Sequence, residues 1–343
     1  MKKIVFISIL LTAQCMNSIA AETTESTEKK QINYLPSIHG VVRARWEVET
    51  DDSYNRFEVR NARVALNGNI APTIDYLVQA DFCDQGKIKI LDAWGGIQII
   101  KGMKFRAGQF LMPIGIEPLR APAAYIFANR AFVGKQMCNA RGVGAELAYT
   151  LPTTAPLTLK AAVYNAKSVA DHDVWEHSPA FSASALWQIR HVGINVGFQS
   201  SVPAAGRVNL TDAAIIFKSG RWNAEAEYMY KHYTHHYSKA AHGYSVFGDY
   251  IMPVKAGVFN QLSFQGRFDG MTAHNSGDLT SEGSLCDDMP ARNRITVGST
   301  LSYVQNKLQT HIRLNYEKYF YHHDVAVPVG QGDKVAVELA VSF

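Results

Sequence analysis

The chain has 343 residues, a formal charge of +4, 47% hydrophobic residues and 11% aromatics. That charge falls to about +2 once Lys2 and Lys3 are set aside, which argues against nucleic acid as a partner. After Cys15, the cysteines Cys83, Cys138 and Cys286 form an odd, widely spaced set that is no disulfide framework, with a Cys138–Cys286 bridge left open.

The first residues read as an address. Lys2 and Lys3 give a positive n-region, and Ile4 to Ala13 an apolar stretch. Ser18-Ile19-Ala20 or Ile19-Ala20-Ala21 supplies a small-residue cleavage site. Residues 1–21 therefore read as a secretory signal peptide, too short and wrongly flanked for a membrane-spanning helix. Gln14 precedes Cys15 where a lipidation site needs a small residue, so no lipid is expected there. A short polar segment, 22–37, follows, and residues 38–343 form the body. No linker divides that body, and no second apolar run approaches the ~20 residues of a spanning helix. An exported chain rich in Tyr, Phe and Val without such a helix points to a closed barrel, because lipid leaves every backbone polar group to be paired internally.

Alternation supports this along the whole body. In 38–49, Ile38, Gly40, Val42, Ala44, Trp46 and Val48 share one face, and His39, Arg43, Arg45, Glu47 and Glu49 the other. Residues 56–70 change parity between Val59 and Ala62. Either a bulge lies near Arg60-Asn61 or the first residues stand outside the membrane. Arg63 is expected to face the lumen. The final segment alternates Val335, Val337, Leu339, Val341 and Phe343 with Ala336, Glu338, Ala340 and Ser342, an outer-membrane signature in which Phe343 joins the interfacial girdle. Sixteen such segments begin near residues 38, 56, 73, 87, 103, 142, 157, 180, 192, 210, 221, 243, 258, 292, 307 and 333. Connections after even-numbered segments are short. Those after odd-numbered ones are mostly longer, the largest near 113–141, 167–179, 232–242, 270–291 and 320–332. Short periplasmic turns and long outer loops fit an all-β, transmembrane antiparallel barrel of about 16 strands, wide enough for an aqueous channel.

The loop of about 113–141 contains the apolar run 121–127 and is expected to fold into the lumen and narrow it. Arg120, Arg130, Lys135 and Arg141, with Lys104 and Arg106, are candidates for a cationic constriction; Arg43, Arg45 and Arg63 are candidates for the wall. Rings of Arg and Lys favour anions. Inward Glu47, Asp75, Asp81, Glu225, Glu227 and Glu317 leave a mixed lining that only keeps the pore wet as the alternative. Histidines gather in long loops, notably His172, His177, His232, His235, His236, His242, His322 and His323. The His232-x-x-His235-His236 register splits the set across two faces with no completing carboxylate, so neither a metal nor another cofactor is expected. No nucleophile elbow or phosphate-cradling loop points to an enzyme.

Residues 103–117, Met-Lys-Phe-Arg-Ala-Gly-Gln-Phe-Leu-Met-Pro-Ile-Gly-Ile-Glu, resemble the Gly-Gln-Phe-x-x-Pro-Phe-Gly-x-Glu element of the phosphate-selective porin O and P family. Arg56-Phe57, Arg60, Ala62-Arg63, Leu66 and Gly68 resemble its early strand motif, Asp92-Ala93-Trp94 its Asp-Ala-aromatic element, and 130–144 the exit from its inward loop. Ile114 replaces the usual aromatic. The resemblance spans about 56–144 and implies a sixteen-stranded homotrimeric outer-membrane porin with an in-folded third outer loop and a ladder of lumenal basic residues. Gly108, Gln109, Pro113, Gly115 and Glu117 would be residues that aim the loop. The expected function is passive diffusion of small hydrophilic solutes with anion or phosphate preference. The alternatives are a sugar- or peptide-uptake channel and a plugged structural or adhesive surface barrel.

Overall fold

The computed structural model describes residues 34–84, 86–138, 141–165, 175, 177–202, 206–236, 238–275, 289–322 and 327–343. The expected signal peptide, most of segment 22–37, His172, His323 and Cys286 with its possible bridge lie outside the described residues. Among the described residues there are sixteen strands. They are β1 (Ser37–Glu49), β2 (Asn55–Ala71), β3 (Ile74–Asp84), β4 (Lys87–Ile100), β5 (Met103–Leu111), β6 (Arg141–Leu151), β7 (Leu157–Asn165) and β8 (Ala180–Ile189). They continue with β9 (Val192–Ser201), β10 (Val208–Ser219), β11 (Trp222–Tyr233), β12 (Ala241–Ala256), β13 (Phe259–Met271), β14 (Arg292–Gln305), β15 (Leu308–Tyr321) and β16 (Lys334–Ser342). Each begins within two residues of the position that alternation gives.

Every strand pairs antiparallel with its neighbours in sequence, and β1 pairs with β16 to close the barrel. The seam continues one residue further, where Gly40 and Phe343 exchange both backbone hydrogen bonds. A side chain at Gly40 would collide with the Phe343 ring, so glycine leaves room for that ring to lie across the seam. Of the two readings of the parity fault in β2, the bulge is the one present. The β1–β2 register shifts between Arg43 and Ala44, which face Asn61 and Val59, leaving Arg60 as the extra residue.

Tight turns separate strands at the end taken as periplasmic. Left-handed φ at Gly102 (84°) and Asn306 (55°) lets the chain reverse direction in two of these turns. Outward positions are apolar and exposed, among them Val64, Val78, Val163, Val246, Val297 and Leu314. Inward positions of the same strands carry buried Arg, Asp, Glu, Asn and Gln. The polarity is therefore opposite to that of a soluble protein, as lipid outside requires. No helix among the described residues is long and apolar enough to cross a membrane. The chain is an outer-membrane-type β-barrel.

Candidate functional site: the in-folded loop and the lumen wall

Residues 112–138 leave the end of β5 and run inside the barrel. The segment that the family resemblance rests on builds the loop's base. Gln109 Nε2 donates to the Ile90 and Leu91 carbonyls, both at 2.8 Å. It thereby satisfies β4 where that strand slips its register against β3. Gly115 adopts φ 70°, and a side chain there would strike Met229 and the Glu227 carboxylate. Beyond this turn the Ile116 and Glu117 amides both donate to the Glu227 carboxylate of β11, at 2.6 and 3.1 Å. Glu117 in turn accepts from Arg120 Nε at 2.9 Å and from the Ala131 amide at 3.4 Å, drawing the two limbs of the loop together.

The loop then lies on the far wall. Ile114, Ala131, Phe132, Val133 and Met137 bury against Leu210, Met229, Ala241 and Met271, on β10 to β13. Beyond these apolar contacts, four wall arginines grip its backbone. Arg313 (β15) donates to the Tyr125 carbonyl at 2.5 Å, Arg43 (β1) to Ala128 at 2.7 Å, Arg267 (β13) to Asn129 at 2.8 Å and Arg294 (β14) to Arg130 at 2.8 Å. The reverse polarity also occurs. The Ala128 and Phe132 amides donate to Asn315 and Asp269 at 2.7 and 3.0 Å. Arg43 and Arg313 share Glu338, each at 2.5 Å. Arg294 pairs with Asp269 and Glu317 at 2.8 and 3.0 Å. Guanidinium groups also cover loop rings, Arg43 over Tyr125 at 4.7 Å, Arg267 over Phe127 at 4.5 Å and Arg294 over Phe132 at 4.5 Å. The four arginine side chains are 2–3% exposed. Between loop and wall, Glu117, Arg120, Phe127, Arg130, Phe247 and Arg267 enclose a space of about 20 Å³, room for about one water.

The wall of β2 to β6 is different. Arg63 pairs with Asp81 at 2.8 Å, Arg106 with Glu146 at 2.8 Å and Arg141 with Asp92 at 3.0 Å, and Lys104 pairs with Asp75. Lys104 follows a periplasmic turn and Arg63 faces Asp81 near the outer end of β3, so the pairs climb the wall along the barrel axis. The side chains of Arg63, Arg106 and Arg141 are 13–20% exposed and those of their carboxylates only 4–8%. Lys104 and Asp75 are more open, at 28% and 31%. Trp94 sits among them, with Lys104 4.7 Å and Arg106 5.5 Å from its ring.

The eight basic residues singled out by sequence thus separate into three groups. Arg63, Lys104, Arg106 and Arg141 stand together on the β2–β6 wall. Arg43 and Arg45 belong to the loop-holding network, Arg45 bonding the loop residue Asn129 and pairing with Glu58. Arg120 and Arg130 lie within the loop, where Arg120 bonds Glu225 and both reach Glu117. Burial opposes the Arg120 charge, but Glu225 and Glu117 outweigh it and raise its pKa. Arg141 is the first residue of β6, not part of the loop. Alternation along β13, β14 and β15 turns Arg267, Arg294 and Arg313 inward but carries no sign that they hold the loop. Sequence reasoning missed Trp94 as a lumenal ring, although inward Asp92 two residues before gives its parity.

The histidines form no centre with acids or cysteines among the described residues. Ser302 Oγ and His311 Nδ1 stand 2.8 Å apart, but the other imidazole nitrogen meets the Gln309 amide oxygen at 3.2 Å, where a nucleophilic relay needs a carboxylate.

No protein-family model and no curated protein matches the chain. Solved structures do match its fold. OmpF from Salmonella typhi, in complex with daunomycin, is 13% identical with a TM-score of 0.61 over 90% of this chain and 97% of that one. The anion-selective porin from Comamonas acidovorans is 10% identical with a TM-score of 0.59, covering 90% and 98%. OmpT from Vibrio cholerae, in its trimer form, is 11% identical with a TM-score of 0.58, covering 90% and 99%. At these identities the likeness is one of fold, that of the Gram-negative outer-membrane porins.

Proposed function

We propose that this protein is a homotrimeric porin of the bacterial outer membrane through which small hydrophilic solutes diffuse passively, with a preference for anions, phosphate among them. The observation that carries the preference is the exposure difference on the β2–β6 wall. In three of the four ion pairs there, the cation is the more exposed partner and the carboxylate the more buried one. A passing anion meets nitrogen first, and the paired carboxylates keep the groups aligned without cancelling their local field. The trimeric neighbour of like fold supports the assembly, and the polar lining bound up in ion pairs supports a channel over an enzyme. Single-channel reversal potentials in a salt gradient, with chloride exchanged for phosphate, test the proposal. Anion selectivity is expected; a cation-selective current overturns it.

The plugged surface barrel is the second reading. It draws on the close packing of loop against far wall, where a pocket between them has room for about one water. A protein that inserts into bilayers but carries no current at any potential would favour it.

A further inference from the structure

The passage between the loop and the β2–β6 wall has apolar surface on both sides. On the wall, Leu77 and Trp94 are paired in register and share the inward parity of Asp75 and Asp92. Both are partly exposed. The next row toward the periplasm holds Arg106 with Glu146, and Lys104 follows one row further. On the outer side stands Asp92, which Arg141 reaches. The ladder of cations is therefore broken by an apolar rung. Gly96 serves that rung. A side chain there would collide with Asp75, Lys104 and Trp94, so glycine lets Lys104 lie across β4 beside the indole ring.

The loop presents a face of the same kind. Tyr125, Phe127 and Ala128 are buried, whereas Ala121 is exposed and Ala123, Ala124 and Ile126 are partly so. The short turn Pro122–Ala124 lies against β16. No residue of 121–127 is charged. Arg120 and Arg130, which flank this stretch, are engaged elsewhere, Arg120 with Glu225 and Glu117 and Arg130 with Glu117. The free side of the loop therefore offers methyl and aliphatic groups, not charge, to the cations across the passage.

An inorganic anion gains from the cations alone, and sheds water against indole and alanine with nothing in return. A sugar needs acceptors for its hydroxyls, and the carboxylates on this wall are the more buried partners of their ion pairs. A molecule with one carboxylate and a compact apolar body uses every part. Its charge meets Lys104 or Arg106, and its body packs on Trp94 and on the loop's methyl groups. We propose that the passage holds such solutes, small monocarboxylic acids with an aromatic or short aliphatic body, more tightly than inorganic anions. The inference deepens the anion-channel reading and rests on it.

The test is single-channel recording of the full chain in chloride, with benzoate, acetate or inorganic phosphate added to both sides and benzyl alcohol as the uncharged ring. Benzoate is expected to interrupt the chloride current at about tenfold lower concentration than acetate or phosphate. Benzyl alcohol at that concentration should leave the current uninterrupted. Trp94→Ala should raise the benzoate concentration required about tenfold. Ala121→Asp puts a carboxylate on an exposed part of the loop face and should raise it about threefold, a second reading if Trp94→Ala fails to close its barrel. Three results overturn the proposal while leaving an anion-selective channel in place. They are benzoate acting no better than acetate, benzyl alcohol acting as strongly as benzoate, and undiminished interruption in every variant that conducts. A cation-selective or silent protein overturns the channel reading and this one with it.

Discussion

The β13–β16 and β1 wall and the β2–β6 wall are made from the same parts. Both present inward Arg or Lys paired with inward carboxylates. On the first wall the loop seals the pairs, and their free donors reach its carbonyls. On the second the loop is absent, and the same donors face the lumen. The difference teaches that a lumenal arginine has no fixed task in a barrel of this width. What covers it decides whether it is a tether or part of a solute path.

The largest expected effect comes from breaking a tether. Arg294→Ala removes partners from buried Asp269 and Glu317 and frees the Arg130 carbonyl. Stranding buried charges costs about 3–5 kcal/mol, to be read as a lowered unfolding temperature on heat-modifiable gels. Conductance should rise as the loop swings away. A stable variant with native current would make the two walls equivalent and sink the comparison. Next is Gly115→Val, which puts a branched side chain at φ 70° against Met229 and Glu227. A loss of about 1–3 kcal/mol and noisier, larger openings in single-channel records are expected.

Lys104→Glu tests the open wall. This exposed pair contributes at most about 1 kcal/mol, so the barrel should melt near its normal temperature while the reversal potential moves toward cations. An unmoved potential would place the solute path elsewhere. The smallest effect belongs to Arg63→Gln, which keeps a hydrogen bond to Asp81 possible and removes one charge from the outer end of the ladder. A reduced single-channel current in phosphate, smaller than the effect of Lys104→Glu, is the expected reading. Were it the larger, the selective position would lie at the outer mouth.

Much of the fold was legible because it repeats. Each strand must satisfy lipid on one side and water or polar loop on the other, so period two is written into all sixteen, and even the extra residue at Arg60 appears as a parity fault. Loop lengths gave the barrel its orientation. The site was half legible. Parity turns Arg43 and Arg63 inward alike, yet Arg43 finds Glu338 across the closing seam and Ala128 inside the loop, while Arg63 finds only its neighbours Asp81 and, through it, Asn61. Such partners are far apart in sequence and local pattern carries no trace of them. Trp94, by contrast, shares the unbroken parity of inward Asp92, so its place in the lumen is legible on β4 itself.

The grip on the loop also bears on how such a protein changes over generations. Arg43, Arg267, Arg294 and Arg313 hold carbonyl oxygens, which every amino acid supplies, and Glu227 holds backbone amides, which all but proline supply. Part of the loop's path is thereby held independently of its side chains. Substitutions at Ala121, Ala123 or Ala124, whose side chains are not buried, can alter the charge or bulk presented to the lumen while the backbone stays where the wall has fixed it. Selectivity can drift between relatives one residue at a time, with no need to rebuild the barrel that carries it.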